Sequence, residues 1–319
     1  TDGGGIWMEI SRNLQMRSKR LSYFKRTWML YAMLLLPIGF FVLFRYVPMT
    51  NIVIAFKDYN MFAGTWASPW AEPFFKWFTK AFTAQDFGNA LRNTLMLNIL
   101  DLIVGFPAPI ILAILMNELV FKRYKRVTQT VVYMPYFLSW IIIVGMAKQL
   151  LGPRTGVINI LLDNIGMGPI DFLMDKALWV VTYIGLGLWK NVGWGTVIYL
   201  AAITTINPEL YEAAEVDGAS RLRKIWHITL PGIRPTIVVL LIMNLGHILG
   251  SEFDRPYALG NDLVRSVCDV ISTLVYRLGI KGFQFSYTAA VGLFQSVVCV
   301  LFLLAADRIA KRAGERGIW

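Results

Sequence analysis

The sequence predicts an all-α polytopic membrane protein with six transmembrane helices. Of its 319 residues, 56% are hydrophobic and only 16% are charged, whereas about a quarter of the residues of a soluble domain are charged. The apolar residues form runs close to the roughly 20 helical residues that cross a bilayer core about 30 Å thick. The core helices of a soluble protein would be shorter and would carry more polar faces. The predicted spans are Trp28–Val47, Leu91–Met116, Val127–Leu150, Leu178–Thr205, Thr236–Ser251 and Tyr287–Ala306.

The first span is expected to remain as an anchor. It follows a basic stretch, but its apolar run is too long for a signal peptide and no small-residue cleavage site follows it. The opening TDGGGIW has no initiator Met, so the native N-terminus is left open. The predicted organisation is a basic cytoplasmic segment over 1–27, a first helix with an aromatic-rich extracytoplasmic loop over 28–90, a five-helix core over 91–306 and a cytoplasmic tail over 307–319.

Lysine and arginine predict the orientation. More than half of the 31 basic residues lie in four clusters, and six crossings place all four clusters on the same side, which the positive-inside rule assigns to the cytoplasm. Both termini are therefore expected in the cytoplasm of a bacterium, with the chain in its inner membrane. The net charge of +11 reflects topology and predicts no nucleic-acid partner, because it is spread over separate loops. The clusters begin at Arg12, Lys122, Arg221 and Arg308.

The chain lacks the motifs of an enzyme. It has no phosphate-binding G-x-x-x-x-G-K-[ST] loop, no H-E-x-x-H pair and no G-x-S-x-G elbow. Its two cysteines, Cys268 and Cys299, form no C-x-x-C pair. No catalytic residue, metal site or bound cofactor is therefore predicted for this chain.

An aromatic group in the loop after the first span has two open interpretations. The side chains could form a belt at the membrane interface, or they could dock a partner outside the membrane. The residues are Trp66, Trp70, Phe74, Phe75 and Trp77.

A polar stretch, Asn207–Pro235, separates the fourth and fifth spans. Asn207 is a good N-cap and Pro208 suits the first helical position, which predicts a short helix. Gly218 is expected to end this helix in a left-handed turn. A second short helix is predicted from about Ser220, stopped by the prolines at 231 and 235. The pattern predicts a cytoplasmic helix–turn–helix elbow with small residues at its tip, suited either to a protein partner or to the membrane surface.

The elbow resembles the EAA loop of ABC-importer permeases. The resemblance lies in Glu212-Ala213-Ala214, Asp217-Gly218-Ala219, Ile228 and Leu230-Pro231. One departure is Ile225, where many members have Phe. In that family the loop inserts into a groove on an ATPase subunit. The resemblance therefore implies that eight residues couple this chain to an ATPase: Glu212, Ala213, Ala214, Asp217, Gly218, Ala219, Ile228 and Pro231.

The resemblance extends over most of the chain from about Trp28. It implies the six-span MetI-like fold of type I importers, as in maltose-type permeases. A second motif, Phe56-Lys57-Asp58-Tyr59-Asn60 with Gly64-x-Trp66-x-Ser68-Pro69-Trp70, resembles permeases of polysaccharide and oligouronide systems, above all the first permease subunit of alginate-oligosaccharide importers. The implied partners are a second homologous permease, two ATPase subunits that hold ATP and Mg²⁺, an extracytoplasmic solute-binding protein and an oligosaccharide cargo.

Polar residues inside the spans are candidates for the cargo pathway. Asn244, His247 and Ser251 follow the spacing i, i+3 and i+7 and would share one face of the fifth span. Polar groups in lipid usually face a bundle interior or a water-filled cavity, although hydrogen bonding between helices is a competing explanation. Lys190 and Asn191 in the fourth span are further candidates, and a lysine would suit an anionic sugar.

Three other functions stay open. An importer permease for a peptide, phosphate or amino acid would share the EAA loop. An ion-coupled secondary transporter would need ion sites and often inverted repeats with broken helices, and no matching half is evident. A membrane enzyme or scaffold would show an activity independent of transport.

Overall fold

The computed structural model describes residues 26–119, 121–250, 252–314 and 317. These residues form helices joined by short connections, with one isolated antiparallel bridge, Lys57–Trp70, as the β-structure in the described part. The principal helices are α1 Arg26–Phe56, α2 Lys76–Thr83, α3 Gln85–Gly105, α4 Pro107–Asn117, α5 Lys122–Tyr133, α6 Trp140–Leu151, α7 Val157–Asn164, α8 Lys176–Thr204 and α9 Pro208–Val216, followed by α10 Arg221–Gly246, α11 Asp254–Leu259, α12 Ile271–Val275 and α13 Phe285–Arg312.

The chain divides into two compact units. Within the described residues, one unit comprises 26–54 and 59–69, and the other comprises 55–58 and everything from 70 onward. The first unit is dominated by α1, which includes a π-helical turn over Val42–Tyr46. No residue in the most apolar stretch of α1 is buried, so the helix presents apolar side chains on all sides, as immersion in lipid requires.

Four helical segments of the described chain are long and apolar enough to cross a membrane: α1, the α3–α4 pair over Gln85–Asn117, α10 and α13. The predicted third span is broken. Its helical part over Arg123–Phe137 meets α6 at an angle of 101°, and it counts as one further span only if both pieces are taken together. The all-α membrane fold is confirmed, and by length and composition four helical segments of the described residues qualify as spans, or five if the broken pair is counted as one.

The fourth predicted span is α8, which has 29 residues and a length of about 43 Å at 1.5 Å per residue. The helix is therefore long enough to cross a bilayer core of about 30 Å. The helix is not apolar enough to be counted with the others, because Lys190, Asn191 and several glycines interrupt its apolar residues. These polar positions face the protein interior or a cavity, as the next section describes.

The fifth predicted span has different bounds. Helical structure runs without a break over Arg221–Gly246, so the expected short second helix and its stop at Pro231 and Pro235 are wrong. A proline removes one N–H and crowds the carbonyl four residues earlier. A π-helical turn over Ile225–Thr229 widens the helix immediately before Pro231, where that room is needed.

Close contacts around α8 bring the elements of the second unit together. Trp179 is fully buried and its indole N–H donates to the carbonyl of Leu259 at 3.1 Å. Gly195 lies against the ring of Pro109 in α4, where a larger side chain would separate the two helices. This packing places α8 in the wall of a cavity.

Candidate functional site

The elbow between α8 and α10 begins as its sequence predicts. The side-chain oxygen of Asn207 accepts the backbone N–H of Glu209 at 3.1 Å, and Pro208 takes the first position of α9. Because a proline has no N–H to leave unpaired at this position, the pair starts a helix efficiently.

The turn after α9 depends on Gly218, whose φ is +71°. Side chains with a Cβ adopt this conformation at a cost of about 1 kcal/mol. Its N–H donates to Glu215 at 3.0 Å, and the N–H of Ala219 donates to Ala214 at 2.8 Å, so the turn closes the end of α9. Ser220 then caps α10 by accepting the N–H of Arg223 at 3.4 Å.

Two contacts fasten α9 to the start of α10. The hydroxyls of Tyr211 and Thr229 lie 2.9 Å apart, and Thr229 is buried. Lys224 forms an ion pair of 3.6 Å with Glu215. A displacement of α9 would therefore be passed to α10 through packed and hydrogen-bonded groups.

The predicted coupling residues lie mostly at the surface. Glu212, Ala213, Asp217, Gly218 and Pro231 are exposed, and Ala214, Ala219 and Ile228 are partly buried. The elbow also carries four exposed apolar side chains that the motif does not include: Val216 is 89% exposed, Leu222 69%, Trp226 67% and Leu210 52%.

A cavity of about 450 Å³ lies among α3, α8, α10 and the segment from residue 247 to residue 255. Its lining combines aromatic rings with carboxylate, amide, imidazole and guanidinium groups. Such a mixture can contact both the ring faces and the hydroxyl groups of a polar solute. The polar lining residues are Asn98, Asp101, Asn191, Asn244, His247, Glu252 and Arg255, and the aromatic ones are Phe106, Tyr136, Tyr183, Trp194 and Tyr199.

Arg255 forms an ion pair with Asp101 in the cavity wall. It is 3% exposed, and its two terminal nitrogens donate to the carboxylate of Asp101 at 2.7 and 3.2 Å. It also donates to the carbonyl of Tyr183, and its guanidinium lies 3.5 Å from the centroid of that ring. A side chain at Gly187 would collide with the guanidinium, so α8 needs a glycine there.

Lys190 is not among the cavity-lining residues. Its ammonium donates to the carbonyl of Tyr136 at 2.8 Å and to the carbonyl of Leu138, and only 9% of the residue is exposed. It also lies 5.4 Å from the ring of Trp140, whose N–H donates to Glu252. Lys190 thus contacts the break between α5 and α6, away from the cavity surface.

Asn191, Asn244 and His247 all line the cavity, but the predicted helical face is wrong. The α10 helix ends at Gly246, and His247 is its C-cap with φ −107° and ψ 14°. Ser251 lies outside the described residues. The helix ends here because neighbouring side chains satisfy the freed carbonyls: Asn98 donates to Ile248 and Gln295 donates to Leu249.

Arg255, Tyr136 and Trp194 also belong to the site, although their positions in the sequence do not predict it. Asp101 within an apolar span does give a signal, because a buried carboxylate requires a cationic partner. The sequence does not say which cation that is, since Arg255 follows Asp101 by 154 positions.

Residues of the motif over 56–70 form contacts within each of the two units. Within the second unit, the ammonium of Lys57 lies 5.0 Å from the ring of Trp70, and Asp58 pairs with Lys76 at 2.9 Å. Within the first unit, the hydroxyl of Ser68 accepts the N–H of Asn60 at 3.0 Å. Among the aromatic residues whose role stays open, Trp66 is 73% exposed and Trp70 56%.

Residues 105–315 match the profile of a family described as binding-protein-dependent transport system inner membrane component. Among the relatives, Protein LplB of Bacillus subtilis is 44% identical over 92% of this chain and 92% of its own length. The polygalacturonan/rhamnogalacturonan transport system permease protein YteP of the same organism is 45% identical over 91% of this chain and 90% of its own length.

A solved structure shares the fold. It is a chain of a bacterial alginate ABC transporter in complex with an alginate pentasaccharide-bound periplasmic protein, 41% identical, with a TM-score of 0.85 over 93% of this chain and 99% of that chain. The predicted permease fold is thereby confirmed. Together with the exposed elbow and the polar cavity, these matches show that the chain belongs to the family of binding-protein-dependent transport system inner membrane components and is a permease subunit of a type I ABC importer.

Proposed function

We propose that this chain is one of two permease subunits in an ATP-driven importer that carries oligosaccharides, foremost alginate and other uronate oligosaccharides, across the bacterial inner membrane. The observation that carries the proposal is the continuity of Arg221–Gly246. One helix is fastened to the elbow at Thr229 and supplies Leu240 and Asn244 to the cavity wall. The elbow and the cavity are therefore joined by a single rigid element.

The mechanism follows from that element. From Arg221 to Asn244 the helix extends about 35 Å at 1.5 Å per residue. Movement of α9 reaches α10 through Tyr211 and Thr229 and alters the wall of the cavity at the far end. ATP shifts the balance between outward and inward access only if the ATPase binds the elbow differently in the two states.

An ATPase groove is the partner that suits the elbow. Val216, Leu222 and Trp226 are exposed apolar side chains, and exposed apolar patches mark sites of interaction with proteins or membranes. Each of two permeases would present one elbow to one of two ATPase subunits, which hold ATP and Mg²⁺ and carry out hydrolysis. An extracytoplasmic solute-binding protein would deliver the cargo, and both termini of this chain would lie in the cytoplasm.

The cargo assignment combines the relatives with the cavity. Two of the relatives described above, each at least 41% identical, are named for acidic polysaccharides, polygalacturonan/rhamnogalacturonan and alginate, whereas relatives at 28–29% identity are named for arabinooligosaccharides and xylose/arabinose. Among the described lining residues, Arg255 is the one lysine or arginine, and it is already paired with Asp101. This wall would therefore bind the hydroxyl groups and ring faces of an oligosaccharide. The carboxylates of the oligosaccharide would be bound by the other permease or by the binding protein.

The test uses the chain purified with its neighbouring permease and ATPase and reconstituted into liposomes with the binding protein. ATP hydrolysis is recorded against uronate oligosaccharides, neutral oligosaccharides and peptides. Stimulation by uronates alone is expected. Stimulation by neutral sugars would replace the uronate assignment, and stimulation by peptides alone would replace the carbohydrate assignment with the peptide alternative.

The ATPase partner has a separate test. Val216→Asp should reduce retention of the ATPase during purification, because a carboxylate would enter an apolar contact. Ile165→Asp is the matched control, since Ile165 is also a highly exposed apolar residue, at 69%, but lies outside the elbow. Equal loss of the ATPase in both variants would contradict the docking role of the elbow.

A further inference from the structure

The break between α5 and α6 leaves backbone carbonyls without hydrogen-bond partners inside a helix. A 3-10 turn over Met134–Phe137 ends the first piece and α6 begins at Trp140, with 101° between the two pieces. The last carbonyls of a helix have no partner within the helix. At membrane depth, where water is absent, such groups must be satisfied by protein.

Lys190 satisfies the carbonyls at this break. Its ammonium donates to Tyr136 at 2.8 Å and to Leu138, one residue on each side of Phe137, the last residue of the turn. A cation at the carbonyl end of a helix is also favoured by the helix dipole. On the other side of the break, Ser139 caps α6 by accepting the N–H of Ile142 at 3.4 Å.

The residue one helical turn after Lys190 contacts the same tyrosine. The rings of Trp194 and Tyr136 are stacked, with centroids 4.7 Å apart and planes 8° from parallel. Positions i and i+4 share one helix face, so α8 binds the backbone of Tyr136 with one side chain and its ring with the other. Gly193 permits this approach, because a Cβ there would collide with the carbonyl of Val132.

Both stacked rings line the cavity, whereas Lys190 does not. Trp194 is 45% exposed, so aromatic surface is available to a solute. The C–H groups of a pyranose ring are attracted to the electron-rich face of an aromatic ring. The pair Tyr136–Trp194 is hereafter called the ring platform.

We propose that Lys190 is a positioning residue for cargo: by holding the carbonyls of Tyr136 and Leu138, it fixes the ring platform on which the sugar rings of the oligosaccharide stack during passage. Lys190 acts through Tyr136 and does not itself contact the cargo. This inference rests on the proposed transport of oligosaccharides.

The experiment is a double-variant cycle in the reconstituted transporter. The variants are Lys190→Met, Trp194→Leu and the combination, with Lys190→Arg as the conservative control. The readouts are the concentration of cargo-loaded binding protein that gives half-maximal ATP hydrolysis, the maximal rate, and the amount of ATPase and second permease that copurifies. Each single variant is expected to raise the half-maximal concentration about tenfold, the effect of losing one aromatic contact, with copurification unchanged.

The combination distinguishes positioning from a merely structural role. If Lys190 acts through the platform, Lys190→Met adds little once Trp194 is absent, and Lys190→Arg, which keeps a charged donor, stays close to the unaltered protein. Multiplied effects in the double variant would overturn the inference. So would an unchanged half-maximal concentration in Lys190→Met.

Failure to assemble is also informative. If Lys190→Met does not copurify with its partners, Lys190→Gln enters the same cycle, because it keeps two N–H donors on a shorter side chain. Failure of both variants to assemble, with Trp194→Leu normal, would assign Lys190 to folding and overturn the inference. A failure of the proposed function looks different, because no saccharide would then stimulate hydrolysis by the unaltered transporter.

Discussion

The elbow and the cavity wall are built in opposite ways. The hydrogen bonds that shape the elbow join residues close in sequence, such as Asn207 with Glu209, or Tyr211 with Thr229 at a separation of 18. The cavity wall joins distant residues, as in Asp101 with Arg255, 154 positions apart. Most residues of the elbow are exposed, whereas Arg255 is almost fully buried. Substitutions in the elbow should therefore change coupling alone, and those in the buried wall should change stability as well.

The largest effect is expected for Arg255→Met. Removing one partner of a fully buried ion pair costs about 3–5 kcal/mol, and the loss should lie toward or below the lower end of that range because the remaining carboxylate of Asp101 is 32% exposed. The variant should lose most of its thermal stability in detergent, measured as the midpoint of unfolding of the purified complex.

Two further proteins test this interpretation. Asp101→Leu combined with Arg255→Met should recover much of the loss, since an apolar pair leaves no isolated charge. Arg265→Met removes an exposed pair with Asp262, 2.8 Å long with side chains 59% and 89% exposed, and should change stability by about 0.5 kcal/mol or less. Equal destabilisation by Arg255→Met and Arg265→Met would contradict the expectation that the ion pair of the cavity wall contributes more stability than the surface pair.

Gly218→Pro should separate coupling from folding. Proline cannot adopt the φ of +71° and removes the N–H that bonds Glu215, so the turn must change shape. We expect at least a tenfold loss of cargo-stimulated ATP hydrolysis, with the unfolding midpoint nearly unchanged because the site is exposed.

The matched control is Gly185→Ala. Gly185 lies in α8, where an added Cβ meets no atom within 4 Å, and helical alanine is favourable. This control should retain stimulated hydrolysis. A Gly218→Pro protein that also kept full stimulation and retained its ATPase would show that the turn plays no part in coupling.

A smaller effect is expected for Asn244→Ala. Asn244 lines the cavity, and its amide donates to the carbonyl of Leu240 within the same helix at 2.8 Å, so it bridges no pair of helices through that bond. Loss of one hydrogen bond to cargo, worth about 1 kcal/mol, should raise the half-maximal cargo concentration severalfold without reducing assembly. Asn164→Ala, at an exposed position outside the cavity, is the control. A parallel loss of assembly in Asn244→Ala would favour a structural role.

The smallest change concerns Cys268. Burial raises the pKa of its thiol from 9.0 to about 11, so in a Cys299→Ser background almost no thiolate is available at pH 8, and labelling by a maleimide should be slow. The folded state holds this proton more tightly than the unfolded state. The corresponding stability is complete below pH 9 and declines as the pH rises toward about 11, a decline that Cys268→Ala should abolish. Rapid labelling of the native protein would contradict the burial.

Prediction from sequence succeeded where the governing interactions are local. The cap at Asn207, the helix start near Ser220 and the turn at Gly218 follow from the conformational preferences of single residues and their near neighbours. The bounds of α10 could not be predicted in this way. A π-helical turn over Ile225–Thr229 precedes Pro231 and the helix continues past it. The helix ends at Gly246, and just beyond this end the distant amides of Asn98 and Gln295 donate to the carbonyls of Ile248 and Leu249.

By itself, the sequence determined that this is an all-α membrane protein, that a polar elbow interrupts its apolar segments, and to which family it belongs. These properties depend on hydrophobic runs and short-range spacing, which require no knowledge of contacts. The tertiary structure decided that Lys190 holds a broken span instead of lining the cavity, and that Arg255 neutralises Asp101. The physical reason is that a buried polar group must find a partner, and only the packing of α8 against the surrounding helices selects which partner lies within reach.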